Sequence, residues 1–170
     1  MRSRFTTKGN MLHVLAALMP ANALAIEISM RYGLRISDVL SLQPAQVRQG
    51  RFTIHEQKTG KSRRIQLTEY LQLELLSQAN QEWCFPGRCN PHKHRTRQAV
   101  YKDVVRAAKA FRLSHITPHS ARKIYAVSLR ERGKTLAEIQ HILNHSDIST
   151  TMVYALADTL DKSNVPRKGH

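Results

Sequence analysis

Apolar residues in this chain recur at helical spacing over most of its length and change to a clear period of two between residues 51 and 67. There Phe52, Ile54 and Glu56 alternate with polar neighbours, Ile65 and Leu67 do so again, and Lys58-Thr59-Gly60-Lys61 joins the two runs. That is the pattern of a β-hairpin with lysines at its tip. One hairpin set among helices restricts the fold class to α+β, predominantly helical with a small antiparallel sheet.

Before the hairpin, residues 10–19 and 21–32 read as two helices separated at Pro20, the second carrying Leu24, Ala25, Ile28 and Tyr32 on one stripe. Gly33 ends it, and Leu34 to Leu40 resumes as a short helix with Ile36, Val39 and Leu40 facing inward. Arg35 stands just after the break, where a side chain can reach out of the framework. After the hairpin, Thr68 caps a helix through Ser77 that buries Leu71, Leu75 and Leu76, and Trp83-Cys84-Phe85 reads as a third strand before Pro86-Gly87. The segment from Gly87 to Arg97 is a loop rich in Arg, His and Lys. A helix over 97–111 places Val100, Val104, Ala108 and Phe111 on one stripe, and the helix opening at Pro118 buries Ala121, Ile124, Tyr125 and Ser128. Past Gly133, Leu136, Ile139, Ile142 and Leu143 form a short amphipathic helix that stops at Asn144-His145-Ser146, and Asp147 caps a last helix carrying Tyr154.

At Thr117-Pro118-His119-Ser120-Ala121-Arg122 the threonine suits an N-cap and the proline the first helical position. His119 and Arg122, three apart, share one face of the first turns, where free N–H groups and the positive end of the helix dipole favour an anion. Taken alone, the stretch reads more readily as a surface helix that happens to begin with two basic residues.

The rest of the composition favours the anion. Lys and Arg number 27 against 12 Asp and Glu, giving a formal charge of +15. The basic residues are spread through amphipathic sequence, which points to nucleic acid before an acidic membrane. The two cysteines, Cys84 and Cys89, are too few for a disulfide scaffold and suit a reducing compartment, so a cytoplasmic location is expected. Arg2, Arg4 and Lys8 ahead of an apolar run imitate a secretory signal, but His13 interrupts that run and Ile26 to Ser29 continue a helix. Nothing approaches the roughly 18 apolar residues of a membrane span. A chain of 170 residues supports one core, so a single domain over 1–170 is expected, with 155–170 as a C-terminal tail.

The polar groups at element ends are Arg35, Lys58, His119, Arg122, His145 and Tyr154. Two arginines can grip one phosphodiester with forked hydrogen bonds and stabilise a five-coordinate phosphorus. A tyrosine oxygen can attack that phosphorus, and histidine and lysine suit the accompanying proton transfers. No cluster of Asp and Glu offers the oxygen cage of a two-metal nuclease.

In this order the residues resemble those of the tyrosine recombinase (phage integrase) family, whose catalytic domain carries arginine, lysine, H-x-x-R, a second histidine or tryptophan, and tyrosine. Gly33-Leu34-Arg35-Ile36-Ser37-Asp38 is similar to the segment of the first arginine, with Asp38 at the supporting acidic position. Lys58 matches the hairpin lysine, with Lys61 as the other candidate, and His119-Ser120-Ala121-Arg122 matches the H-x-x-R box. Leu143-Asn144-His145-Ser146 is similar to L-G-H-S, with Asn144 in place of the glycine, and Tyr154 follows His145 by nine positions. The resemblance implies the family's DNA breaking-rejoining fold and a strand exchange that uses neither metal nor cofactor. In it Tyr154 would join the 3′ phosphate, Arg35 and Arg122 clamp it, and His145 contact it. Lys58 would be the acid and His119 the base. It also implies double-stranded DNA as partner and a homo-oligomer, a tetramer, assembled on it. No membrane is implied.

Only about 20 residues precede the first matching helix, so no separate N-terminal DNA-clamping domain is expected within these 170 residues. An excised catalytic domain and a compact recombinase similar to the fimbrial phase-switch invertases both fit. Two rivals stay open at this level: a DNA-binding regulator with zinc on Cys84, Cys89, His92 and His94, and a type IB topoisomerase-like enzyme.

Overall fold

Pro20 opens a helix rather than merely ending one. The structure, a computed structural model that describes residues 8–143, has α1 over Lys8–Ala16 and α2 over Pro20–Tyr32. Proline's missing N–H is free of cost at the first helical position. Gly33 then closes α2 in the left-handed conformation (φ +64°), its N–H donating to the Ser29 carbonyl at 2.9 Å. Two short helices follow, α3 over Ile36–Leu40 and α4 over Pro44–Val47. In α3, Ile36, Val39 and Leu40 are all buried, as the spacing predicts.

The hairpin is formed by β1, Arg51–His55, and β2, Ser62–Gln66, paired antiparallel from Arg51 opposite Gln66 to His55 opposite Ser62. Its buried face carries Phe52, Ile54 and Ile65. Glu56 continues that face just beyond β1 and is 1% exposed. Helix α5, Glu69–Gln78, is capped by the Thr68 hydroxyl, which accepts from the Leu71 N–H. It buries Leu71 and Leu75 and leaves Leu76 half-buried.

The expected third strand does not form: among the described residues the sheet has two strands. The backbone around Cys84 bonds to other loops instead, with Cys84 N–H donating to Leu42 and the Phe85 carbonyl accepting from Arg95 N–H. Only an isolated bridge joins Pro86 to His94.

Helices α6, Arg97–Ala110, α7, Pro118–Glu131, and α8, Leu136–Ile142, complete the described chain. α2 packs most extensively on α7, and α1 lies on α6. Asp103 of α6 ties these layers together. Its carboxylate accepts from Asn22 Nδ2 at 2.7 Å and Met19 N–H at 3.0 Å, and Arg106 bridges it to the Ala17 carbonyl. Burial works against the charge of Asp103, yet these hydrogen bonds outweigh it and hold the carboxyl below its ordinary range. Val100, Val104 and Ala108 are buried as expected, whereas Phe111 is 45% exposed. Helix α6 stops at Ala110, so Phe111 leaves the stripe and stacks on His13. Tyr125 and Ser128 are half-buried rather than buried, and Leu136, in the first turn of α8, faces solvent. No described helix is long and apolar enough to cross a membrane. The Asp147 cap and the helix of Tyr154 lie outside the described residues, as does the segment 155–170.

Candidate functional site

Arg35 occupies the N-cap of α3 in extended conformation (ψ 145°), so its side chain leaves the framework at the break made by Gly33. Its Nη1 donates to Glu56 Oε2 at 2.5 Å. On the far side of Glu56, Arg63 donates to the carbonyls of Tyr32 (2.7 Å) and Gly33 (3.3 Å), where the end of α2 presents its negative pole, and lies 3.7 Å from Glu56 Oε1. Neither Glu56 nor Arg63 belongs to the constellation that the sequence motifs mark. The signal was present, since the period-two pattern sets Glu56 on the apolar face with Phe52 and Ile54, and a charge there demands partners.

Arg122 overturns the surface-helix reading of its own stretch. It is 1% exposed, among the most buried large side chains described. Its Nη2 donates to the Leu143 carbonyl, which joins α7 to the end of α8. Its Nε and Nη1 have no hydrogen-bond partner among the described residues. Burial, and next the guanidinium of Arg35, push its pKa down to about 10, which still leaves it charged at neutral pH. His119, three residues earlier, stays exposed at the rim. The N–H of Thr117 donates to Ser120 Oγ at 3.1 Å and the Ser120 N–H returns to the Thr117 carbonyl, which fixes the start of α7.

Asp38 is buried beside these cations. Its Oδ1 accepts the Gln57 N–H at 3.0 Å, and burial raises its pKa above the ordinary carboxylate range. Lys58, the next residue along, is exposed at the hairpin tip.

Arg35, Lys58, His119 and Arg122 come together on one cavity of about 980 Å³, which Gln98 and Tyr101 of α6 also line. Four of the six chemistry-bearing residues picked from sequence therefore share a wall. His145 and Tyr154 lie outside the described residues. What the four can do together is hold a tetrahedral anion: a desolvated guanidinium with free donors makes stronger hydrogen bonds than one in water.

The basic loop lines a second cavity of about 550 Å³ with Arg88, Lys93 and Arg95, facing Lys102 and Arg106 of α6, and Thr96 borders both cavities. The zinc alternative does not survive. Cys84 is buried and Cys89 exposed, His92 binds Glu82 at 2.8 Å, and His94 lies edge-on to Trp83. Among the described residues no three His, Cys, Asp or Glu gather where they could hold a metal ion.

The architecture has close counterparts. The lambda integrase bound to DNA superposes with a TM-score of 0.70 at 21% identity, over 99% of this chain and 65% of that one. The catalytic domain of the bacteriophage HP1 integrase superposes with a TM-score of 0.59 at 22% identity, over 94% of both chains. The fold is thus that of a tyrosine recombinase catalytic domain. In sequence, the tyrosine recombinase XerD of Rhizobium meliloti (strain 1021) is 33% identical over 141 residues, 76% of this chain, and this chain spans 45% of that protein. Residues 5–160 match the model of the phage integrase family. With the boxes of Arg35, Lys58, His119 and Arg122 all inside that span, the chain belongs to the phage integrase family.

Proposed function

We propose that this chain is a site-specific DNA recombinase that cleaves and rejoins DNA strands through a covalent 3′-phosphotyrosine. The observation that carries this reading is the state of Arg122: a guanidinium 1% exposed, with Nε and Nη1 unpartnered among the described residues, on the wall of a cavity it shares with Arg35. Burying such a group without filling its donors is costly unless an anion fills them in the working complex. A phosphodiester fits that need, and the net charge of +15 favours a DNA backbone as its source.

In this reading Arg35 and Arg122 clamp the nonbridging oxygens, and Tyr154 attacks the phosphorus. His119 takes the tyrosine proton and Lys58 donates one to the departing 5′ oxygen. His145 adds a phosphate contact and Asp38 supports the arginines from behind. The reaction trades one phosphodiester for another, so no cofactor is needed. The partner is double-stranded DNA, on which copies of the chain assemble as a tetramer. Membership of the phage integrase family favours recombination over topoisomerase-like relaxation.

The test is a nicked suicide DNA carrying the protein's own recombination site. The wild-type chain accumulates a denaturant-resistant protein–DNA adduct and Tyr154→Phe does not. An adduct with Tyr154→Phe would remove Tyr154 as nucleophile.

A further inference from the structure

We propose that Glu56 is a positioning residue that latches the hairpin tip to Arg35 and thereby sets where Lys58 meets the leaving oxygen. This rests on the reading of Lys58 as the acid.

Lys58 projects from a tip that solvent surrounds, and a β-turn with an exposed lysine has no reason of its own to hold that lysine still. Here both neighbours of Lys58 are tied down. The Gln57 N–H donates to Asp38 Oδ1 at 3.0 Å, which fixes the entry to the tip against α3. The Thr59 hydroxyl donates to Glu56 Oε2 at 2.9 Å, which fixes the exit. The oxygen that Thr59 reaches is the one that accepts Arg35 Nη1 at 2.5 Å, so a single carboxylate atom joins the arginine to the turn. The backbone of Glu56 closes the same loop, its N–H donating to the Lys61 carbonyl (2.9 Å) and its carbonyl accepting the Gly60 N–H (2.8 Å).

A role confined to charge balance would need Glu56 only near Arg35 and Arg63. It would not need the bond to Thr59. Glutamine at position 56 keeps the shape and can accept from Thr59 or Arg35, but lacks the charge that draws both donors to one oxygen. The tip should then drift relative to Arg35, and misplacing an acid by about 1 Å costs on the order of a hundredfold in rate.

The experiment compares single-turnover cleavage by full-length wild type, Lys58→Ala, Glu56→Gln and Thr59→Val on two suicide DNAs. One has the natural 5′ oxygen at the scissile bond and the other a bridging sulfur, whose thiolate departs without a proton. On oxygen, Glu56→Gln should be slower by roughly 10- to 100-fold and Thr59→Val by a smaller factor, both with unchanged DNA affinity. On sulfur, both should come within about threefold of wild type, as Lys58→Ala does, because the acid is no longer needed. Thr59→Val alters only the tip, so it carries the test if Glu56→Gln fails to fold. Variants equally slow on oxygen and sulfur, or at wild-type rate on oxygen, would overturn the latch while Lys58→Ala still showed sulfur rescue. If Lys58→Ala itself is not rescued, the assignment of Lys58 as acid falls, and the latch with it.

Discussion

The ring of Tyr125 fills the space that a side chain at Gly33 would need. A Cβ on Gly33 would lie 2.2 Å from Tyr125 Cδ1 and 2.6 Å from Cε1, and the backbone there has φ +64°. Gly33→Ala therefore meets two penalties, left-handed strain of about 1–2 kcal/mol and overpacking of about 1–3 kcal/mol. We predict a loss of roughly 2–5 kcal/mol in urea denaturation. In a Tyr125→Ala background only the 3.0 Å approach to Leu143 Cδ2, the end of a flexible side chain, remains, and Gly33→Ala should cost little beyond the strain. Equal costs in both backgrounds would show that the ring is not what excludes the side chain.

Asp103 supplies an acid-dependent share of stability. Its carboxyl is held below the ordinary value of 3.8 because the bonds from Asn22, Arg106 and Met19 outweigh the penalty of burial. A depressed carboxylate contributes fully above its unfolded pKa and loses that contribution as pH falls through its folded pKa. Asp103→Asn should cost about 1–3 kcal/mol at pH 7, and the deficit should shrink below pH 3.8. Denaturation midpoints of both proteins between pH 7 and 2 check this. A deficit that stays constant across that range would mean the carboxylate charge is not the cause.

The sequence made some of this legible and hid the rest for physical reasons. The period of two around Phe52 and Ile54 located the hairpin, and Gly33 located the break from which Arg35 emerges, because both signals are local. Burial of Arg122 is not local: its own stretch reads as a surface helix, and the carbonyl that its Nη2 reaches belongs to Leu143, 21 residues on. The Trp83-Cys84-Phe85 segment has a strand's composition, but strand pairing needs a neighbour, and Leu42 and Arg95 claim its backbone first. Phe111 fits the stripe of α6 by count and leaves it because the helix ends one residue earlier. Glu56 was visible as a charge on an apolar face, while its partners Arg35, Thr59 and Arg63 come into view only once the hairpin is folded.

The two thiols should differ sharply in reactivity. Cys84 is fully buried, and that burial pushes its thiol up to about 12, whereas Cys89 is exposed. Only the thiolate reacts with disulfide reagents. At pH 8 an aromatic disulfide should titrate one thiol of the native protein at once and the second only on unfolding. Cys89→Ser should abolish the fast phase, and a fast phase that persists would show that Cys84 is accessible.

Arg122 is where fold and chemistry compete for one side chain. Its Nη2 serves the Leu143 carbonyl, while Nε and Nη1 have no partner among the described residues and, on the proposed function, meet a phosphate. We predict that Arg122→Ala slows cleavage of a suicide substrate by roughly 100- to 1000-fold, as loss of a preorganised charge stabiliser does. Arg122→Lys restores a charge but not the fork, and one ammonium cannot serve the Leu143 carbonyl and two phosphate oxygens in the same geometry. It should recover only part of the rate. If the contact is to a phosphate, Arg122→Ala should also lower the slope of log affinity against log salt by about one. A full rate in Arg122→Lys would mean that charge alone is required and that the forked geometry at this position contributes nothing.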